Sequence, residues 1–250
     1  MSRYDFSAKR LFVKAPLAAA LEISLNSLQT NYVRNVLRLS SGDQILVFNG
    51  EDGEWQTMIG QTNRKSVLLN VKAQVRPQEP RPDLYYLFAP LKQARQDYMI
   101  EKAVEMGAGH LCPVITRRTQ ASRINPERIE AHAIEAAEQC GILSIPKIAP
   151  LTRLETLLGE WDPSRLLIFC DEDSPVERPF EILQPKAKQG PAPLAILIGP
   201  EGGFDPAERQ LLLSLPFVLR LPLGPRILRA DTAAVAALAL VQATLGDWRG

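Results

Sequence analysis

The chain has 250 residues, 46% hydrophobic and 23% charged, with a formal net charge of +1. This composition fits one large globular domain or two modest ones and excludes a disordered or fibrous chain. No apolar run approaches the roughly 18 residues of a membrane span, and Met1–Asp5 opens no apolar leader, so a cytoplasmic protein is expected. Cys112, Cys140 and Cys170 are odd in number and form no CxxC, and the two histidines, His110 and His132, sit in a strand-like and a helix-like context. Disulfide, metal and Ser/His chemistry are therefore not expected.

In chain order, short β-rich runs come first: Arg10 to Val13, Gln44 to Phe48, Glu54 to Ile59 and Ser66 to Val75. The turn dipeptides Asn49-Gly50 and Asp52-Gly53 separate the second from the third. One helix is predicted from about Ser27 to Leu37, with Leu28, Tyr32, Val33, Val36 and Leu37 on one face and Arg34 and Arg38 towards the polar side. Many short strands in some 75 residues suggest a small barrel. Residues 1–82 carry 11 Lys/Arg against 7 Asp/Glu, whereas residues 83–250 carry 18 against 21; the basic excess favours a phosphate-facing module at the front. The proline-bearing stretch Gln74–Pro82 reads as a stiff linker.

After it the rhythm becomes strand–helix alternation. Strands are expected at Leu84–Ala89, His110–Ile115, Leu166–Cys170, Leu194–Ile198 and Phe217–Leu221. Helices are expected at Gln93–Met106, stopped by Gly107, from Asn125-Pro126 to about Cys140, and from Ala230 to about Leu245; residues 186–193 read as a surface loop. The alternation predicts an α/β domain with a largely parallel sheet and a ligand site at the strand C-termini.

Two glycine-proline turns follow the last two strands: Gly199-Pro200-Glu201-Gly202-Gly203-Phe204 and Pro222-Leu223-Gly224-Pro225-Arg226. Asp205-Pro206-Ala207-Glu208 then has the form of a helix start, with an N-cap Asp, a Pro at the first position and a Glu three residues after the cap. Such turns bring backbone N–H and C=O groups to a ligand with few side chains in the way. Neither a GxxxxGK[ST] nor a GxGxxG spacing is present. An acidic glycine-rich turn suits hydroxyls or positive charge, as in the ribose, amine and sulfonium of S-adenosyl-L-methionine. Phe204, in a polar turn, is expected to line that pocket.

The pair LIGPEGGFDPAE and LPLGPRILRADTA strongly resembles the C-terminal signature of the RsmE-type ribosomal RNA methyltransferases of the SPOUT superfamily. Further similar pieces are Val36–Leu39, Gly42-Asp43, Phe48–Gly50, Lys92, Ile100–Gly107, Thr116–Arg118 and Glu135–Cys140. The resemblance implies an α/β fold: a PUA-like β-barrel that binds RNA over residues 1–75, a linker at 76–82, and a SPOUT domain with a C-terminal trefoil knot over 83–250. It further implies a homodimer that methylates a uridine at N3 in small-subunit (16S) ribosomal RNA. Ribose 2′-O or guanine N1 methylation, or a non-catalytic ribosome assembly factor, are the alternatives.

On this resemblance the cofactor-binding candidates are Leu197, Ile198, Gly199, Pro200, Glu201, Gly202 and Gly203 in the first turn, and Leu221, Leu223, Gly224, Ile227, Leu228 and Thr232 in the second. Arg226 and Arg229 are the catalytic candidates, because a guanidinium favours a deprotonated uracil; pairing with Glu201 or capping a helix is the structural alternative. Arg10, Arg34, Arg38, Lys92, Arg117, Arg118 and Arg123 are RNA-binding candidates, and no metal is expected. Two positions depart from the family pattern: Asp231 stands where Glu is usual, and Ile142 where Arg is frequent.

Overall fold

The computed structural model describes residues 8–62, 66–121, 123–175, 178–190 and 192–249. The chain forms two compact units, Met1–Arg81 with Ile134–Ile145, and Pro82–Ala133 with Pro146–Gly250.

The first unit holds a five-stranded sheet built from β1 (Arg10–Phe12), β2 (Glu22–Ser24), β3 (Gln44–Phe48), β4 (Glu54–Thr62) and β5 (Val67–Arg76), in the order β1-β3-β4-β5-β2. β1 lies parallel to β3 and the other pairs are antiparallel. Alternation puts Ile45 and Val47, and Val67, Leu69 and Val71, on one buried face with Leu11 and Ile59. Gly53 has φ +81°, and a Cβ there would stand 2.4 Å from the Arg76 carbonyl oxygen, so the turn between β3 and β4 requires glycine. β2 escapes sequence analysis because Ile23 is the only apolar residue in its three.

The predicted helix from Ser27 is shorter and irregular. α1 (Ser27–Asn31) has an Asn26–Gln29 capping box, and then the chain widens into a π turn over Tyr32–Val36. The wider turn breaks the 3.6-residue period. Val33 is buried, whereas Leu28 and Val36 point outward at 81% and 60% exposure, so the expected single apolar face does not form. Arg38 follows with φ +56°.

A buried charge cluster ties the sheet together. Glu54 accepts from Arg10 Nε at 2.8 Å and from Arg76 Nε and Nη2 at 2.8 and 3.0 Å. Arg10 Nη1 also donates to the Ala8 carbonyl, and Arg76 Nη2 to that of Gly141. Arg10, expected to grip RNA, is 4% exposed and committed to this pair; a guanidinium that deep has no access to phosphate.

The second unit holds a parallel sheet. β6 (Leu84–Phe88), β7 (His110–Ile115), β10 (Leu166–Cys170), β11 (Leu194–Ile198) and β12 (Val218–Leu221) are joined by the two-residue strands β8 (Lys147–Ile148) and β9 (Thr152–Arg153). The order is β12-β10-β11-β6-β7-β8, with β9 also on β7. Between them run α2 (Gln93–Glu105), α3 (Pro126–Cys140), α4 (Leu154–Gly159), α5 (Pro179–Ala187), α6 (Pro206–Ser214) and α7 (Ala230–Thr244). α3 starts in this unit and ends in the other. All five residues of β11 are buried, which is why it reads as one apolar run. α2 stops at Gly107, φ +84°, against Gln242, whose Nε2 donates to the Met106 carbonyl at 2.7 Å. Helix α5 carries into the stretch expected as a loop, up to Ala187. Among the described residues no helix is long and apolar enough to cross a membrane.

Two outcomes follow for the first unit. Glu54→Gln leaves two buried guanidinium groups facing a neutral amide and should cost about 3–5 kcal/mol, read as a lowered denaturation midpoint; a midpoint at the wild-type value would show the cluster to be dispensable. Glu138, on α3, accepts the Phe12 N–H at 2.8 Å, and burial raises its carboxyl pKa to about 7. A raised acid binds more protons folded than unfolded, so its stabilising share is full below the ordinary carboxylate range and is lost as pH rises towards 7. Glu138→Gln keeps the acceptor without the charge, so the variant should be more stable than wild type at pH 8 and lose that advantage at pH 5 in thermal melts. An equal difference at both values would refute this.

Candidate active site

β10, β11 and β12 lie side by side and parallel, so their C-terminal ends meet at one edge of the sheet. The turns after them, with Arg95 of α2 and the start of α7, enclose a cavity of about 510 Å³. That is within the range of small-molecule sites, and parallel α/β sheets place ligands at this edge.

The turn after β11 is fixed by contacts that only glycine allows. A Cβ on Gly199 would lie 2.4 Å from the Phe204 ring, and one on Gly203 (φ +69°) would lie 2.2 Å from Glu172 Oε1. Gly203 N–H closes on the Pro200 carbonyl at 2.9 Å, and Glu172 accepts the Phe204 N–H at 2.7 Å. Phe204 itself is 3% exposed and packs edge-on against Phe169 at 4.9 Å, so it supports the turn from the core and does not line the pocket. The capping box forms as expected: Asp205 accepts from Ala207 N–H, and Glu208 from Asp205 N–H. The Ala207 N–H and the Arg117 guanidinium hold the Asp205 carboxyl below its usual pKa.

The turn after β10 begins with Asp171, whose side chain is fully buried. It accepts from Arg209 Nε of α6 at 3.0 Å and from Arg220 Nε of β12 at 2.6 Å. Asp173 N–H also donates to it, at 3.1 Å. The turn after β12 spans Pro222 to Arg229; Gly224 has φ +98° and Ile227 is 98% exposed.

Of the cofactor-binding candidates, the cavity is lined by Ile198, Gly199, Pro200, Glu201, Gly203, Leu223, Gly224, Ile227 and Leu228. Leu197 and Leu221 are wholly buried and belong to the strands beneath. Gly202 lies outside the lining against Arg118, and Thr232 is exposed beyond it. Arg226 and Arg229 line the cavity. Glu201 pairs with Arg95, so the structural alternative, its pairing with Arg226 or Arg229, is not the one formed. Sequence analysis missed Arg95, Cys170, Asp171, Glu172 and Ser174; the available signal was the acidic run Asp171-Glu172-Asp173 at the end of an apolar strand.

Three RNA-binding candidates also bear on this edge. Arg117 pairs with Asp205 at 2.9 Å and its N–H donates to Glu208; Arg118 Nη1 donates to the Gly202 carbonyl at 3.0 Å. Both brace the turn after β11. Lys92 lines a second cavity of about 230 Å³, with Gln120 and Glu201. Arg123 is exposed, as are Arg34 and Arg38 in the first unit.

The arrangement fits S-adenosyl-L-methionine. Backbone from two glycine-bearing turns forms the walls, and carboxylates at Glu172 and Glu201 offer acceptors to hydroxyl and amino groups.

Comparison with known proteins agrees. Residues 77–242 match a family model described as an RNA methyltransferase domain, and residues 28–72 one described as an RNA methyltransferase PUA domain. A relative from Rickettsia conorii named ribosomal RNA small subunit methyltransferase E is 32% identical, covering 93% of this chain and 94% of its own. One of the same name from Synechocystis is 30% identical over 95% and 78%. A putative methyltransferase from Legionella pneumophila, solved with bound S-adenosylmethionine, superimposes with TM-score 0.80 at 28% identity over 94% of this chain and 97% of that one. The ribosomal RNA small subunit methyltransferase E of Neisseria gonorrhoeae shares the fold at TM-score 0.84 and 22% identity, over 96% and 99%. A methyltransferase model matched over most of the chain, together with relatives alike along nearly their whole length, means that the chain belongs to the ribosomal RNA small subunit methyltransferase E family.

Proposed function

We propose that this chain transfers a methyl group from S-adenosyl-L-methionine to N3 of a uridine in small-subunit (16S) ribosomal RNA. The observation that carries the reading is the cavity at the ends of β10, β11 and β12, with its two glycine turns and with Arg226 and Arg229 in its lining. The cofactor supplies an electrophilic methyl on a sulfonium whose leaving group is neutral. The chain's own work is to bind, orient and deprotonate.

Ile198, Leu223 and Leu228 give apolar walls, and the backbone of Gly199 to Glu201 and of Gly203 gives polar ones. Uridine N3 carries a proton, and the anion left by its loss is spread over the two ring carbonyls. Arg226 and Arg229 line the cavity, and no ion pair holds either of them among the described residues. Their charge is available to that anion. RNA contact is assigned to Arg34, Arg38 and Arg123, which are exposed. The same reading makes the protein a cytoplasmic homodimer that needs no metal; sedimentation as a single chain would overturn the dimer.

Nucleoside mass spectrometry of ribosomal RNA from cells with and without the gene tests the function. N3-methyluridine should disappear with the gene and return with the wild-type copy; Arg229→Ala should restore it at a single-turnover rate about 100-fold lower. Retained N3-methyluridine in the deletion would sink the assignment, and a normal rate in the variant would make Arg229 a structural residue. For RNA, replacing Arg34 and Arg38 by Glu should weaken binding and flatten its salt dependence by roughly one unit of slope per lost phosphate contact. Cofactor affinity should hold. An unchanged salt slope would move the RNA surface elsewhere.

A further inference from the structure

The second cavity of the larger unit is not absorbed by cofactor binding. It measures about 230 Å³ and lies against Pro90, Leu91, Lys92, Gln120 and Ala121 on one side and Pro200 and Glu201 on the other. Pro200 and Glu201 also line the cofactor cavity, so one short piece of the turn after β11 is a wall common to both. Among the described residues, the side chains of Lys92 and Gln120 make no hydrogen bond or ion pair with protein groups. An ammonium and a carboxamide without protein partners, set beside the apolar Pro90 and Leu91, match a flat ring that carries carbonyl oxygens.

A geometric constraint sharpens this. The ring nitrogen N3 of uracil is planar and has one outward in-plane direction. Its proton occupies that direction, and an incoming methyl needs the same one. A group that removes the proton must therefore stand between the base and the methyl donor and then vacate the space. Glu201 is the one acid, among the described residues, that lines both cavities. Its carboxylate is held by Arg95, and both side chains are about a third exposed, so the pair is free to open.

We propose that the smaller cavity receives the target uracil, with Lys92 and Gln120 on its carbonyl oxygens, and that Glu201 takes the N3 proton. The inference rests on the uridine-N3 reading above. In the step, the N3–H bond breaks, the proton goes to a Glu201 carboxylate oxygen, and the electron pair stays on the ring, spread over O2 and O4 beside the Lys92 ammonium. Protonation removes the charge that holds Arg95. The neutral side chain leaves the wall and gives its proton to water, and the way from N3 to the cofactor cavity is open.

Two experiments test this with the full-length protein. In the first, a 16S ribosomal RNA transcript containing 4-thiouridine is photo-cross-linked to the protein, and the linked peptides are mapped by mass spectrometry. Cross-links within Pro90–Lys92 or at Gln120–Ala121 are expected, reduced by Ala121→Phe, which fills the cavity; their absence from both segments overturns the base site. In the second, single-turnover methylation is followed against pH. At saturating cofactor and neutral pH, Glu201→Gln should be slowed about 100-fold and should recover in step with hydroxide concentration; calorimetry on the variant fixes the cofactor concentration that saturates it. A wild-type rate and pH profile, or a loss explained wholly by cofactor affinity, overturns the role of Glu201. Lys92→Met should lower the rate at saturating cofactor, with partial rescue in Lys92→Arg, and serves if Glu201→Gln does not fold. If the wild-type protein makes no N3-methyluridine at all, the functional reading fails; if it does and these variants are unaffected, only the assignment of the second cavity fails.

Discussion

Asp171 is the residue on which the cavity depends. A carboxylate with no solvent exposure is costly unless its charge is met, and here two guanidinium groups meet it: Arg209 on the helix after the second turn and Arg220 on the strand before the third. One acid at the end of β10 is thereby bonded to both elements that carry the neighbouring turns. Arg220 Nη2 continues to the Asp173 carbonyl at 2.9 Å, which holds the first turn as well. The adjacent Glu172 then accepts the backbone N–H of Phe204. The turns after β10 and β11, and the strand that leads into the third turn, are tied together before any ligand arrives, and a preformed site avoids an ordering cost on binding.

The same bonds settle the charge that the cavity presents. Its lining holds three carboxylates and three arginines, but they are not equally available. Asp171 is neutralised by arginines from outside the lining, Glu201 is paired with Arg95, and Glu172 is bound to backbone. Arg226 and Arg229 are the charges not met by protein acids among the described residues. The sequence impression of an acidic pocket therefore needs refinement. The acids mostly build the walls, and the net field left over favours an anion, the state a deprotonated base adopts.

Legibility followed the range of the interactions. β3, β7, β10 and β11 were read to the residue because each is an apolar run ended by polar or glycine positions, and the helix start at Asp205 because a capping box is local. The glycines of the turn after β11 were visible as glycines, but the groups that demand them, Phe204 and Glu172, were not. Phe204 looked like a pocket residue in a polar turn, and its ring proved to be core because Phe169 waits beneath it. The π turn after α1 was hidden as well, since periodicity assumes 3.6 residues per turn and gives the wrong inward residues once that period is broken. The second cavity escaped for another reason: Lys92, Gln120 and Glu201 come from three separate segments.

Charge counting shows the same limit in the first unit. The basic excess of residues 1–82 pointed to a phosphate-facing surface, yet Arg10 and Arg76 belong to that count and both are spent on Glu54 inside the sheet. What remains outward is local. Arg34 lies within the π turn and Arg38 just after it, Val36 lies exposed between them, and Leu28 is exposed on the preceding helix. Cations interleaved with exposed apolar side chains suit a partner with phosphates and flat bases better than a uniform basic face would, because the two kinds of contact address different parts of a nucleotide. A segment's net charge counts buried groups together with exposed ones; the distribution of charge that stays in water decides what it binds.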